Sequence, residues 1–408
     1  MRPNFPVLIS FLLIGACKKN DQQPDVPSGP PVINSISPTH GPKNMLDTIS
    51  GSGFSSIAVN NTVAFNGKPA VVVSALADRL VVKVPEAAGD GEVTVTVNGR
   101  IARGPQFRYE AFSVSVFAGT GYLGWTDGTG TRASIATPVS MAADSTGNLY
   151  VVEVGNNMIR KITPAAAVSR FAGVIGKQGA TDGPALGALF RYAYSVCTDR
   201  LGNVYVGDVD AHNIRKITAG MVSIYAPNAD VQPTGMIIDG TGSLLCVGPF
   251  SDWVKRINTA GQLENIKMSD PIGQLWGITL DANGDIIVSD KNYHVIRKVR
   301  PDGSNTIIAG QFLLAGSTDG DAGTALFNTP KSLATDKNGN IYVADQGNNA
   351  IRKISRTGMV TTLISNISRY TLDGGGAFSG AWGLCIDNNN VLYIANTGES
   401  TILKVVFD

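Results

Sequence analysis

Four acidic residues each stand seven positions ahead of an arginine: Glu153 before Arg160, Asp208 before Arg215, Asp290 before Arg297 and Asp345 before Arg352. Taken together, four carboxylates could hold a metal ion. Taken singly, each is the natural partner of its own arginine. The pairs recur at equivalent places, so ion pairing is the simpler use. Arg256 continues the arginine series with Pro249 in the acidic slot, and the last copy carries Asn396 and Leu403. His212 and His294 share one repeat position, where a turn-packing role is expected; with His40 the only other histidine, a three-histidine zinc site cannot be assembled from these segments. No CxxC pair, Cys/His cluster or GxSxG element is present. A catalytic residue, a metal and a cofactor are therefore not expected.

A second set of carboxylates, Asp127, Asp182, Asp319 and Asp373, lies in long inserts, three of them in the tripeptide TDG. Calcium binding is conceivable for them, but each has few oxygen-bearing neighbours in sequence, and capping of the loop turn is the favoured reading.

Binding chemistry is suggested by one further position, which reads Val139, Tyr194, Thr234, Trp276, Lys331 and Trp382 in successive repeats. Large aromatics fall in every second copy with a lysine among them. If these side chains ring a solvent-facing mouth, they can stack on sugar faces or grip peptide side chains; the competing use is a plug for the channel. Trp253 and Arg191 are outlying candidates for the same site.

The elements that position these residues are written six times. Copies start at Asp144, Asp199, Asp239, Asp281, Asp336 and Asp387, spaced by 55, 40, 42, 55 and 51 residues. Each runs through a turn, usually Gly-Asn, a hydrophobic strand, a polar loop and a segment such as Ile-Arg-Lys. The fifth copy parses into strands at 332–335, 341–344, 350–354 and 359–364. Four-stranded units recurring every 40–55 residues predict a β-propeller, because one such sheet cannot bury both of its faces alone. The wording GNxYVAD, IRKI and VTTxAG resembles the NHL repeat family over residues 112–408. The sixth copy ends after its third strand, while Phe112–Gly119 is a stray fourth strand. The ring should close by joining the two. The inserts all leave one face of the disk, the face where propellers usually bind in an axial funnel.

Residues 31–110 precede this ring with about seven short strand-like runs, period-two patterns such as Val93, Val95 and Val97, and hairpin signals at Asn66-Gly67 and Asn98-Gly99. An immunoglobulin-like sandwich is expected. Ile36–Pro38, Gly41-Pro42, ISGSGF at 49–54 and Phe65–Gly67 resemble the IPT/TIG family, in which the domain is commonly a spacer or a binding module. The fold class is thus all-β: a sandwich followed by a six-bladed propeller occupying 111–408.

The first residues read as a targeting segment. Arg2, the apolar run Val7–Ile14 and Leu13–Cys17 resemble a bacterial lipobox, implying a signal peptide over 1–16 and a lipid on Cys17. Residues 17–30 are polar and Pro-rich, as a flexible tether should be. The expected location is the cell envelope, anchored by lipid to the outer membrane of a Bacteroidetes-like bacterium. Charged residues make up only 16% and the net charge is +1, so there is no basic footprint for nucleic acid. Cys197, Cys246 and Cys385 read as small buried hydrophobes. The partner expected on these grounds is a glycan or protein ligand, bound by a monomer without catalysis; the alternative is a metal-dependent lactonase- or lyase-type propeller.

Overall fold

The computed structural model describes residues 27, 29–41, 43, 45–109, 111–227, 231–249, 253–365 and 377–407. The leader, Cys17, most of the tether and Asp373 lie outside them. Two compact units divide the chain between Ala111 and Phe112.

The first unit is a β-sandwich. Val32–Ser37 pairs with Leu46–Ser52, which pairs with Arg79–Lys83, while Asn61–Phe65 pairs with Gly91–Val97 and onward with Arg100–Tyr109. Lys68–Leu76 serves both layers, pairing with Asn61–Phe65 and with Arg79–Lys83. Alternation along the strands sends Ile49, Leu80, Val82, Val93, Val95 and Phe65 into one core, where the Phe65 and Phe107 rings meet edge to face at 4.8 Å. Asp47 is fully buried in this domain. Its Oδ1 accepts from the Ser37 N–H at 3.1 Å, its Oδ2 has no partner, and burial raises the carboxyl to about 7 against the Ser37 and Thr48 amides.

The second unit is a six-bladed propeller. The fifth blade comprises Pro330–Thr335, Ile341–Asp345, Ala350–Ile354 and Val360–Ser365, within two residues of the expected strand boundaries. Each repeat aspartate organises the first hairpin. Asp144 Oδ1 accepts from the Thr146 and Asn148 amides at 2.9 and 3.0 Å, and Asp199, Asp281, Asp336 and Asp387 repeat the arrangement. The glycine of the turn has positive φ at Gly147, Gly202, Gly242, Gly284 and Gly339, which is why glycine stands there; Asn390 takes that place in the sixth copy. The ring closes as expected: Thr401–Phe407 pairs with Phe112–Ala118, so the last blade takes its outermost strand from the start of the propeller.

Register corrects one part of the sequence reading. Val151 lies opposite Arg160 and Val206 opposite Arg215, but Cys246 lies opposite Lys255. Lys255, not Arg256, therefore occupies the arginine slot of blade 3, because its sequence runs Lys-Arg where blades 1, 2, 4 and 5 run Arg-Lys. Arg256 takes the next position and binds Asp239 at 2.9 Å, as Lys298 binds Asp281 at 2.6 Å. The acidic slot of blade 3 is likewise Gly248, nine residues after Asp239 as Glu153 is after Asp144, and not Pro249.

Candidate ligand-binding site at the axial mouth

The carboxylate–arginine pairs form inside the blades. Arg160 reaches Glu153 at 3.1 Å, Arg215 reaches Asp208 at 3.6 Å, Arg297 reaches Asp290 at 3.2 Å and Arg352 reaches Asp345 at 3.0 Å. All eight side chains are buried. The acids also accept from the chain entering the inner strand: Asp208 from the Arg191 and Tyr192 amides, Asp290 from Gly273 and Gln274, Asp345 from Asn328. Burial pushes Glu153 and Asp345 upward, while hydrogen bonds and the guanidinium oppose it. These carboxylates are spent on holding each loop to its blade. Among the described residues, no three of His, Cys, Asp and Glu gather closely enough to hold a metal ion.

The insert aspartates have a different job from the one expected. Asp127 binds Arg160 at 2.7 Å, Asp319 binds Arg352 at 2.6 Å, and Asp182 binds Arg215. Asp319 also accepts from the Thr362 amide at 2.9 Å, and Asp182 from the Ile224 amide at 3.3 Å. They are ion-pair latches that fasten each insert to its own blade, not simple turn caps. The inserts accordingly run along blade edges: Gly128–Thr129 adds a fifth strand to blade 1, and Gly183–Pro184 does so in blade 2. Sequence patterns gave no sign of these two-residue strands.

His212 and His294 both have left-handed backbones, at φ 53° and 59°, as do Asn157, Asn349 and Ser400 at the same repeat position. A tight turn there favours Asn and His. His294 Nδ1 accepts from the Thr329 amide at 3.1 Å, in keeping with a turn-packing role.

The divergent position is where side chains meet across the ring. Val139, Tyr194, Trp276, Lys331 and Trp382 each lie where the innermost strand slips register against its neighbour, between Pro138 and Ser140 in blade 1 and correspondingly in blades 2, 4, 5 and 6. A bulge re-aims the residue it leaves unpaired, and here it turns side chains from separate blades toward one another. The Tyr194 ring lies 5.6 Å from Trp276 and 6.1 Å from Trp382. Lys331 Nζ sits 3.4 Å from the Trp382 ring centroid and 4.8 Å from that of Trp276. Lys291, from the loop after Asp290, places its ammonium 4.7 Å from Trp276 and was missed by sequence reasoning. Its only sequence signal is adjacency to a repeat acid.

Close approach of the inner strands is what permits this meeting. A Cβ on Gly277 would stand 2.1 Å from the Lys331 carbonyl oxygen, and one on Gly235 would stand 2.6 Å from that of Trp276. Ser289 Oγ donates to the Lys331 carbonyl at 2.6 Å and Thr234 Oγ1 to that of Trp276 at 3.1 Å, stitching adjacent blades. A cavity of about 60 Å³ runs along the axis, lined by Tyr194, Trp276, Trp382 and the next apolar residues of the inner strands.

The expected ring is therefore only partly solvent-facing. Trp276 and Trp382 are half-buried, but Tyr194 and Lys331 are 6% and 5% exposed. The Tyr194 hydroxyl is sealed without a hydrogen-bond partner; the Trp276 indole adjoins it outside bonding geometry. Burial pushes Tyr194 ionisation far up, and burial together with the nearby Lys291 charge lowers Lys331 to about 8. Trp253 and Arg191 do not join this group. Trp253 lines a separate groove of about 560 Å³ with His212, Gln232 and Lys255, where blade 3 lacks the acid–arginine pair. Arg191 is exposed and its Nη1 donates to the Asp210 carbonyl at 3.4 Å. Among the described residues, the most exposed rings of the propeller are instead Tyr122 and Trp125, 79% and 58% exposed on an insert pinned by Asn156 Nδ2 to the Gly124 carbonyl at 2.9 Å.

Comparison with known proteins agrees with this architecture. Residues 31–109 match the IPT/TIG domain family and residues 327–354 match the NHL repeat. Among solved structures, an auxiliary nutrient binding protein from Bacteroides thetaiotaomicron VPI-5482 superposes with a TM-score of 0.61 at 18% identity, covering 93% of this chain and 98% of that one. One from Bacteroides ovatus ATCC 8483 gives 0.60 at 18% identity, over 94% of this chain and 100% of that one. A streptogramin B lyase gives 0.50 at 13% identity, over 73% and 98%. At such identities the likeness establishes the fold alone. Teneurin-4 of Homo sapiens is 26% identical over 66% of this chain, and the chain spans only 10% of its length.

Proposed function

We propose that the propeller is the non-catalytic, ligand-binding head of a cell-envelope lipoprotein, tethered through Cys17 to the outer membrane, and that it holds a glycan at its axial mouth. The observation that carries this reading is the convergence of Tyr194, Trp276, Lys331 and Trp382 from four blades, at a repeat position where the copies differ in chemistry. Half-buried indoles beside a cation make a mouth that can take both the apolar face and the polar substituents of a sugar. The fold shared with auxiliary nutrient binding proteins of Bacteroides is consistent with uptake-related binding. The lactonase- or lyase-type alternative is not favoured, since the carboxylates it needs are engaged by arginines and loop amides. Glycan and peptide arrays probed with the wild type and with Trp276→Ala/Trp382→Ala test the reading. Binding of a glycan that the double variant loses is expected; glycan binding unchanged in the double variant, or binding of peptides alone, would overturn it.

A further inference from the structure

Resting on the glycan reading above, we propose that the mouth selects an acidic glycan, with a ring carboxylate of a uronic acid bound between Lys331 and Lys291. Lys331 is 5% exposed as a residue, but its Nζ is not among the sealed polar atoms and opens to solvent at the mouth; the ammonium has neither a carboxylate nor a hydrogen-bond acceptor among the described residues and lies against two indole rings. Its stem is buried against the rings while its charge is presented outward without a counter-ion. The arginines of this same propeller differ from it, since all four buried ones among the described residues hold a carboxylate. Lys331 is the exception, and it stands at the mouth.

The second cation strengthens the case. Lys291 lies over Trp276 and donates to Gln274 Oε1 at 3.4 Å, so two ammonium groups share one indole. Burial lowers the Lys331 ionisation, and the like charge of Lys291 adds to the same effect. A bound carboxylate would relieve the repulsion and the unmet desolvation together. The half-buried Trp276 and Trp382 favour a uronic acid over an acidic peptide, since a pyranose brings an apolar C–H face along with its carboxylate.

The test compares oligogalacturonate with its methyl ester, the same chain with the charge removed, by titration calorimetry on the purified two-domain protein. The acid form should bind at least about tenfold more tightly, with the gap narrowing as salt rises from about 50 to 300 mM. Lys331→Met should erase the preference while melting at or above the wild-type temperature, and Lys331→Arg should retain part of it. Equal or tighter binding of the ester overturns the anion inference while leaving the glycan reading intact, as does a preference that survives Lys331→Met. A glycan array in which every bound glycan is neutral has that same meaning. Failure to bind any glycan, acidic or neutral, overturns both. A Lys331→Met protein that melts well below the wild type marks the lysine as a structural plug and also defeats the inference.

Discussion

Arg352 donates from Nη2 to Asp319 Oδ1 at 2.6 Å, a bond across 33 residues that fastens a surface insert to the middle of a blade. The same guanidinium gives Nη1 to Asp345 at 3.0 Å. One buried cation thereby fixes two acids, one at the insert and one at the entry to the inner strand. Blades 1 and 2 are built alike through Arg160 and Arg215.

Replacing Arg352 by leucine should cost about 3–5 kcal/mol, because it strands the Asp345 carboxylate in the core. The double variant Arg352→Leu/Asp345→Asn should recover most of the loss. Blade 6 already uses that solution: Leu403 and Asn396 are buried there, with Asn396 Oδ1 accepting from the Ser379 amide at 2.7 Å. Chemical denaturation of the three proteins checks this; a double variant no better than the single one would show that the ion pair cannot be exchanged for an apolar pair.

Gly277→Ala should destabilise the propeller by roughly 2 kcal/mol or more and disturb the mouth, since its Cβ would meet backbone 2.1 Å away at Lys331. Gly323→Ala, with open space around it, is the control and should be nearly silent. Thermal melts, together with tryptophan fluorescence of the two variants, separate the outcomes.

Lys331 makes stability depend on pH in a definite direction. Its folded value, about 8, lies below the ordinary lysine value of roughly 10.4. Between those limits the unfolded chain binds the extra proton, so stability should rise as pH climbs from about 8 to about 10.4, and the penalty is present in full below pH 8. The difference in melting temperature between wild type and Lys331→Met should shrink across that window. A difference that stays constant with pH would contradict the assignment.

Asp47 gives the first domain a pH dependence of the opposite slope. Its folded value of about 7 lies above the ordinary aspartate value near 3.9, so the native state holds the proton between them. Stability of this domain should fall as pH rises from about 4 to 7, the penalty being complete above that range. Asp47→Asn should flatten the slope and stabilise the domain at pH 8, less the cost of an amide N–H without an acceptor. Hydrogen exchange of the Ile49 and Val82 amides, followed against pH in the intact chain, measures it.

Much of this molecule was legible in its sequence because short-range chemistry dictates it. The aspartate that caps each hairpin turn, the glycine that supplies positive φ and the alternation of apolar residues all act within a few positions, so the repeat announced the blades, their number and the strand that closes the ring. The same repeat located Tyr194, Trp276, Lys331 and Trp382 at a single divergent position. Other features depended on partners far apart in the chain. That Lys255 stands in the arginine slot follows from strand register, which a two-residue inversion of sequence conceals. That Asp127, Asp182 and Asp319 are ion-pair latches follows from inserts folding back along blade edges. The fate of the mouth was also decided in three dimensions: bulges on separate inner strands, brought close by glycine, laid ammonium groups against the indoles and buried a lysine without a carboxylate. Sequence could name those side chains, but only packing between blades could determine whether they face solvent, face one another or await a charge.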